Sequence, residues 1–264
     1  MQMPWLRQGI CIGDPYNHFV TIGLLVGAIT TLVSGVLAVL VLNRFRQRGG
    51  MHLFMWGIGM LLYFGAGVCE TVLAFGWSDL AFRLWYWSGA MLVPPVLAQG
   101  TLWLLRKKSP WTAATTAVIG FLALASLVWV LSISLDASQF TPGGDLAKFL
   151  TESYRAILPA NPPKGDVSVR QLLPPILNIY GTLILAGGAV YSAYLFLRKS
   201  IMPNRMLGNV LIAVGGLLPA LGGTLIKVAE ALPELAAFAS AFKYAGIVAG
   251  ALLLFAGFEL AIRR

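Results

Sequence analysis

Three ionisable side chains interrupt long apolar stretches of this sequence and are its most informative positions. Glu70, Lys227 and Lys243 each lie among residues that are otherwise aliphatic, aromatic or small. A charge in hydrocarbon costs from about 3 kcal/mol upward, so such a residue normally faces a protein interior or water and has a partner. The sequence therefore predicts that Glu70 pairs with Lys243 or with Lys227.

The helical neighbours of these charges indicate which way they point. Small residues, with one tyrosine, recur on the same helix faces: Gly59, Tyr63, Ala66 and Gly67 beside Glu70; Ala236, Ala239, Ser240, Gly246 and Gly250 beside Lys243; Gly216, Ala220, Gly223 and Thr224 beside Lys227. Small residues mark the faces where membrane helices pack closely, so each charge is expected to face the inside of a bundle.

Two interpretations of the charges stay open, with snorkelling of Glu70 and Lys227 to the membrane interface as a third. The first is a buried structural ion pair that holds three helices together. The second is a polar layer beneath an outward-facing pocket. That pocket would be formed by Glu70, Lys243, Lys227, Tyr63, Tyr86 and Ser240, with Glu230 and Glu234 in an outer vestibule.

Several kinds of catalytic chemistry are excluded by residue type. His18 and His52 are the only histidines and are predicted at opposite membrane faces, which excludes a bis-histidine haem and a three-histidine zinc site. Two cysteines are too few for a disulfide framework. A serine nucleophile would lack a histidine base at its depth. We expect a non-enzyme with no metal site.

Composition and charge place the chain in a membrane. Of its 264 residues 58% are hydrophobic and 11% charged, and the mean hydropathy is +0.79. Soluble domains carry about 25% charged residues, and disordered chains need the opposite balance. The net charge of +9 comes from basic clusters between apolar runs. Such clusters set membrane orientation, so no nucleic-acid partner is expected.

Seven apolar runs are long enough to cross about 30 Å of hydrocarbon. They cover residues 19–43, 51–75, 84–105, 110–134, 171–197, 205–227 and 235–262. None alternates with period two, which excludes a β-barrel. Because lipid offers no hydrogen-bond partner to backbone N–H and C=O groups, the spans must be helices. The sequence thus predicts an all-α integral membrane protein, a seven-transmembrane helix bundle forming one domain over residues 1–264.

The basic linkers predict the orientation. Eleven of the 19 Lys and Arg residues follow spans one, three, five and seven, whereas the alternate loops are acidic. By the positive-inside rule the N-terminus lies outside and the C-terminus in the cytoplasm of a multi-pass cell-membrane protein. The first apolar run is long enough to span, so no cleaved signal peptide is expected.

The long external loop, 135–170, contains a predicted amphipathic helix over residues 145–158. Its apolar residues at helical spacing are Leu146, Phe149, Leu150, Tyr154 and Ile157. This pattern is typical of a short helix that lies on the membrane surface or caps the bundle.

The first three spans match the last three at an offset of 157 residues. The offset pairs Arg48 with Arg205, Gly59 with Gly216, Leu61 with Leu218, Gly65 with Gly222 and Gly89 with Gly246. This three-plus-one-plus-three plan resembles that of seven-helix sugar transporters and rhodopsins, and parallel repeats are a known transporter device. Chance matches also come easily in a chain this rich in Gly, Leu and Ala.

Three functions remain. The favoured one is an accessory subunit of a membrane complex, or a receptor-like binder of a lipid, quinone or pigment, with Gly- and Ala-rich faces for a partner or self-association. The alternative is a small-solute or ion transporter, with Pro219 as a hinge. The remote alternative is retinal bound through Lys243, as in rhodopsins. Against it, span three lacks a carboxylate, span six lacks an aromatic residue, and Ala239 stands where microbial rhodopsins carry an acid.

Overall fold

The structure, a computed structural model, describes residues 15–106, 109–140, 154–159, 169–199 and 203–262. In these ranges it is helical and contains no strand. Seven helices are long and apolar enough to cross a membrane, which confirms the prediction of a seven-helix, all-α membrane protein. Spans one to seven are Pro15–Arg48, Met51–Phe75, Asp79–Leu105, Pro110–Ser132, Val169–Lys199, Pro203–Ala231 and Ala236–Ile262.

Span three begins at Asp79, five residues before the predicted start at residue 84. The side chain of Ser78 accepts a hydrogen bond from the Ala81 N–H, which is the usual N-cap contact. Arg83 then forms an ion pair with Asp79 one turn earlier. A polar first turn therefore extends the helix beyond the apolar run that predicted it.

Six spans form a ring, in the order one, two, three, five, six, seven and back to one. Span four lies against span three, outside this ring. We call the end where span one meets span two the basic end, since Arg44, Arg46 and Arg48 lie there, and the opposite end the acidic end. Spans one to three and five to seven therefore make their contacts in the same order.

The basic half of the ring is filled by one apolar cluster, which we call the apolar floor. All six ring spans contribute to it, and span four does not. Its buried members are Leu37, Ala38, Val41, Leu53, Trp56, Met60, Leu97, Ala98, Leu185, Ile212, Ala213, Leu254 and Phe258. Near its basic edge the rings of Trp56 and Phe258 meet edge-on, with centroids 5.1 Å apart.

A second cluster, the cap cluster, lies toward the acidic end; it is centred on span three and also includes buried residues of spans two, four and five. Its aromatic members include Phe82, Trp85, Tyr86, Trp129 and Tyr154. The segment 154–159 covers it by burying Ile157 and Leu158, and the Asp136 N–H donates to the Ile157 carbonyl at 2.9 Å.

The predicted amphipathic helix falls in this region. Tyr154 and Ile157 lie in a single helical turn, Tyr154–Ile157. Leu146, Phe149 and Leu150 lie outside the described residues. The helix as a whole therefore stays a prediction.

Candidate functional site

Glu70 on span two and Lys243 on span seven lie at similar depth in the acidic half. Glu70 is five residues from the end of its helix at Phe75, and Lys243 is seven from the start of its helix at Ala236. At about 1.5 Å per residue these positions are roughly 8 and 10 Å from the acidic end. The two charges are close enough to attract each other electrostatically.

Lys243 is buried by a close approach of span six. Its relative exposure is 9%, low for a lysine. A Cβ atom added at Gly222 would lie 2.9 Å from the Lys243 Cα, so the glycine lets the two backbones pack at this level. The ammonium group is thereby held inside the protein rather than in lipid.

Tyr63 connects the charged layer to the apolar floor. Its side chain packs against the floor and interacts electrostatically with Glu70, seven residues further along span two. Nearby hydroxyls are turned onto their own helices: Thr31 donates to the Gly27 carbonyl at 2.7 Å and Thr71 to the Gly67 carbonyl at 2.9 Å. The polar groups described in this layer thus include the Glu70 carboxylate, the Lys243 ammonium group and the Tyr63 phenol.

The other predicted site residues are distributed over the acidic end. Ser240 is half-buried, one turn before Lys243, and Glu234 is exposed in the turn Pro233–Leu235. Lys227 and Glu230 lie in the last two turns of span six, and Pro219 near its middle; their side chains are outside the described part of the chain.

Tyr86 lies in the cap cluster. It is 2% exposed, and its ring centroid is 6.3 Å from that of Trp129 and 5.8 Å from that of Tyr154. These contacts assign it to packing under the cap segment. They do not place it beside Lys243, where the sequence predicted it.

A polar network between spans three, four and five was missed by the sequence analysis. Gln99 is fully buried and donates to the Tyr180 hydroxyl, while its carbonyl oxygen accepts from Thr116 at 3.0 Å. The Trp103 indole N–H donates to the Thr116 hydroxyl at 2.9 Å. The partners come from three helices, so no spacing along the chain could have revealed them.

Glu70 and Lys243 place an acid and an amine on spans two and seven, the two neighbours of span one in the ring, and the apolar floor fills the basic half. Within the ranges described, no three His, Cys, Asp or Glu residues are grouped so as to hold a metal ion. Comparison of the chain with protein families, with curated proteins and with solved structures gives no match. The function must therefore be inferred from the chain's own residues.

Proposed function

We propose that this protein is a receptor-like membrane protein that binds a small lipophilic ligand in the acidic half of its bundle. The observation that carries the proposal is the apolar floor, to which six spans contribute, on the basic side of Glu70 and Lys243 and in contact with Tyr63. Ligand sites are mostly apolar, with a few placed polar groups that fix orientation. An isoprenoid quinone, a pigment or a lipid has the matching shape: an apolar body with one polar head.

The charges restrict what the head group can be. Lys243 can donate hydrogen bonds to a carbonyl, carboxylate or phosphate oxygen, and Glu70 can accept from a hydroxyl or amine. If the head group offers an acceptor to Lys243 while Lys243 still attracts Glu70, neither charge is left unpaired. An unpaired charge in hydrocarbon would cost several kcal/mol. An uncharged alkane of the same size is expected to bind much more weakly.

The proposal includes an orientation. The basic linkers favour a cytoplasmic basic end and an external acidic end in the cell membrane. The site then opens toward the exterior or the outer leaflet, and the floor separates it from the cytoplasm. A bound ligand would change helix packing without crossing the membrane.

An accessory-subunit role is the second form of this proposal, and it needs a surface for a partner. Several glycines of spans six and seven pack against the other helix of the pair: an added Cβ at Gly215 would lie 2.7 Å from the Gly250 carbonyl oxygen, whereas one at Gly223 would have nothing within 4 Å. A partner would therefore meet the open side near Gly223 or another face. The outward face of span four is apolar, with Trp111, Phe121 and Leu124 about 70% exposed. This face would contact either lipid or a partner subunit.

Native mass spectrometry of the protein extracted gently from its own membrane tests the proposal. We expect a single chain that retains a small molecule, and loss of that mass in Glu70→Gln and in Lys243→Met. Asp136→Asn is the control, since Asp136 is an exposed acid at the same end that is not among the pocket residues. Equal retention in all variants would contradict the site. A stable assembly with defined partner subunits would favour the accessory role.

A transporter is the second candidate, favoured by the repeated order of helix contacts, since parallel repeats are a transporter device. Alternating access requires the floor to open toward the basic end. Ala213→Cys, in a chain with Cys11 and Cys69 replaced by serine, tests this from the basic side. Labelling by a membrane-impermeant thiol reagent would support transport, and lasting protection would support the receptor.

A further inference from the structure

Span three changes its helical form near its middle. Residues Tyr86–Leu92 form a π-helical segment, in which the Val93 N–H donates to the Ser88 carbonyl five residues back, and an α-helix follows over Val93–Leu105. Isolated π turns inside α-helices occur frequently at functional sites. This one lies immediately before a pair of prolines, Pro94 and Pro95.

The prolines deprive one carbonyl of any partner in its own helix. The Ala90 carbonyl would accept from residue 94 in an α-helix and from residue 95 in a π-helix. Both are proline and have no N–H. A carbonyl left unsatisfied in lipid or in a protein core is costly, so the group needs a donor from elsewhere.

Asn178 of span five supplies that donor. Its amide nitrogen donates to the Ala90 carbonyl at 2.8 Å and to the Pro174 carbonyl of its own helix, also at 2.8 Å. Because a side-chain amide has two N–H groups, one residue can make both bonds. Asn178 thereby links the interruption of span three to the proline pair of span five, Pro174 and Pro175.

The interruption is packed tightly on two sides. On one side an added Cβ at Gly181 of span five would lie 2.6 Å from the Pro94 carbonyl carbon. On the other, an added Cβ at Gly89 would lie 2.9 Å from the Ala66 Cβ, one turn before Glu70 on span two. A shift at Glu70 can therefore reach the π-helical segment through direct contact.

The two parts of span three differ in what they pack against. Span four holds both parts, because Arg83 donates to two carbonyls at the end of span four and Gln99 accepts from Thr116. Only the part after the prolines contributes buried residues, Leu97 and Ala98, to the apolar floor. A displacement of the first part relative to the floor would be concentrated at the interruption.

We infer that Tyr86–Leu92 is a hinge within span three and that Asn178 is the positioning residue that holds it. The hinge lets the acidic part of span three move relative to the apolar floor. Its link to a ligand rests on the proposed function, whereas the hinge itself does not. Pro219, the hinge predicted from sequence, lies within a continuous helix, Pro203–Ala231, and stays a prediction.

Hydrogen–deuterium exchange of the full chain in lipid nanodiscs tests the inference. Asn178→Leu should speed exchange of residues 86–93 by up to about tenfold, the factor that one net hydrogen bond corresponds to. Floor residues 53–60 should change little. Gln99→Leu is the matched control, because it also removes a buried amide but should leave residues 86–93 unchanged. A uniform rise, or no rise at 86–93, would overturn the inference.

A second variant separates the hinge from general damage and keeps the test usable if Asn178→Leu does not fold. Pro94→Ala returns an N–H to span three that can serve the Ala90 carbonyl. Pro94→Ala with Asn178→Leu should therefore fold and show exchange at 86–93 close to wild type. Persistent fast exchange in the double variant would show that the missing donor is not the cause. Neither experiment needs a ligand, so the hinge and the proposed function can fail separately.

Discussion

Spans two and three form a hairpin that packs its glycines against side chains, whereas spans six and seven pack theirs against backbone. In the first hairpin, an added Cβ at Gly59 would lie 2.6 Å from Leu97 Cδ2. In the second, an added Cβ at Gly257 would lie 2.7 Å from the Gly208 carbonyl oxygen and 2.8 Å from the Ile212 nitrogen. A leucine end can rotate away, but a helical backbone cannot. The same small-residue composition therefore gives one yielding interface and one rigid one.

The two hairpins nevertheless share a contact pattern. Leu97 beside Gly59 is matched by Leu254 beside Gly215, and Gly100 beside Trp56 is matched by Gly257 beside Ile212. The matched positions on spans three and seven are 157 residues apart, and those on spans two and six are one residue closer. This agreement supports the internal repeat, which stays a prediction. In such a repeat the helices of the first hairpin would pack through side chains, and those of the second would pack through backbone contact.

Gly257→Ala is expected to give the largest effect because it tests the rigid interface. Its methyl group meets the backbone at Gly208 and Ile212 besides the Ile212 side chain, so spans six and seven must separate. We expect a loss of about 3 kcal/mol in the free energy of unfolding, the upper end for overpacking. Denaturant titration in micelles measures it. Gly223→Ala on span six is the control, since nothing lies within 4 Å of an added Cβ there. Similar losses in both would refute the distinction.

Gly59→Ala tests the yielding interface and should cost about 1 kcal/mol, the lower end for overpacking. The clash is with the end of a flexible leucine, so Leu97→Val should recover part of the loss in the double variant. Gly215→Ala should gain nothing from Leu254→Val, because the Gly250 carbonyl oxygen remains in the way. The two double-mutant cycles measure this coupling directly. Equal rescue in both hairpins would argue against a rigid second interface.

The spans were predictable because lipid penalises every unpaired polar group, which makes long apolar runs and lone charges visible in the sequence. Glu70 and Lys243 were found in this way, and the structure brings them within electrostatic range. Gln99 and Asn178 were not assigned a role, because their partners lie on other helices. A proline pair such as Pro94 and Pro95 indicates a kink from sequence alone, but it cannot identify the side chain that compensates for the missing N–H groups. The packing of the ring decides that.

Gln99→Leu should have a moderate effect and sharpens the comparison. Span four belongs to neither hairpin and contributes nothing to the floor, and its polar attachments to span three are the network at Gln99 and the hydrogen bonds that Arg83 and Trp87 donate to its carbonyls. Interhelical hydrogen bonds in membranes contribute about 0.6 kcal/mol on average and at most about 1.7, and we expect a loss in that range. Thermal unfolding in nanodiscs measures it.

Thr101→Val is the control for Gln99→Leu. Thr101 is as buried as Gln99, but within the described chain its hydroxyl oxygen has no hydrogen-bond partner. Replacing an unpartnered hydroxyl with a methyl group should be neutral or stabilising. If Thr101→Val destabilised the protein as much as Gln99→Leu, the loss would reflect packing rather than hydrogen bonds.

The smallest effect concerns the turn at Asp136, which is hydrogen-bonded to the segment 154–159 over the cap cluster. Hydrogen bonds from the Ser138 hydroxyl and backbone N–H lower the pKa of Asp136 below its ordinary value. A depressed carboxyl pKa stabilises the folded state above the unfolded pKa, about 3.9, and that contribution is lost as the pH falls through the folded value. Asp136→Asn should therefore lower the melting temperature slightly at pH 7, and the difference from wild type should shrink as the pH falls below about 3.9. Because Asp136 is exposed, a difference that did not shrink would assign the effect to the geometry of the turn rather than to its charge.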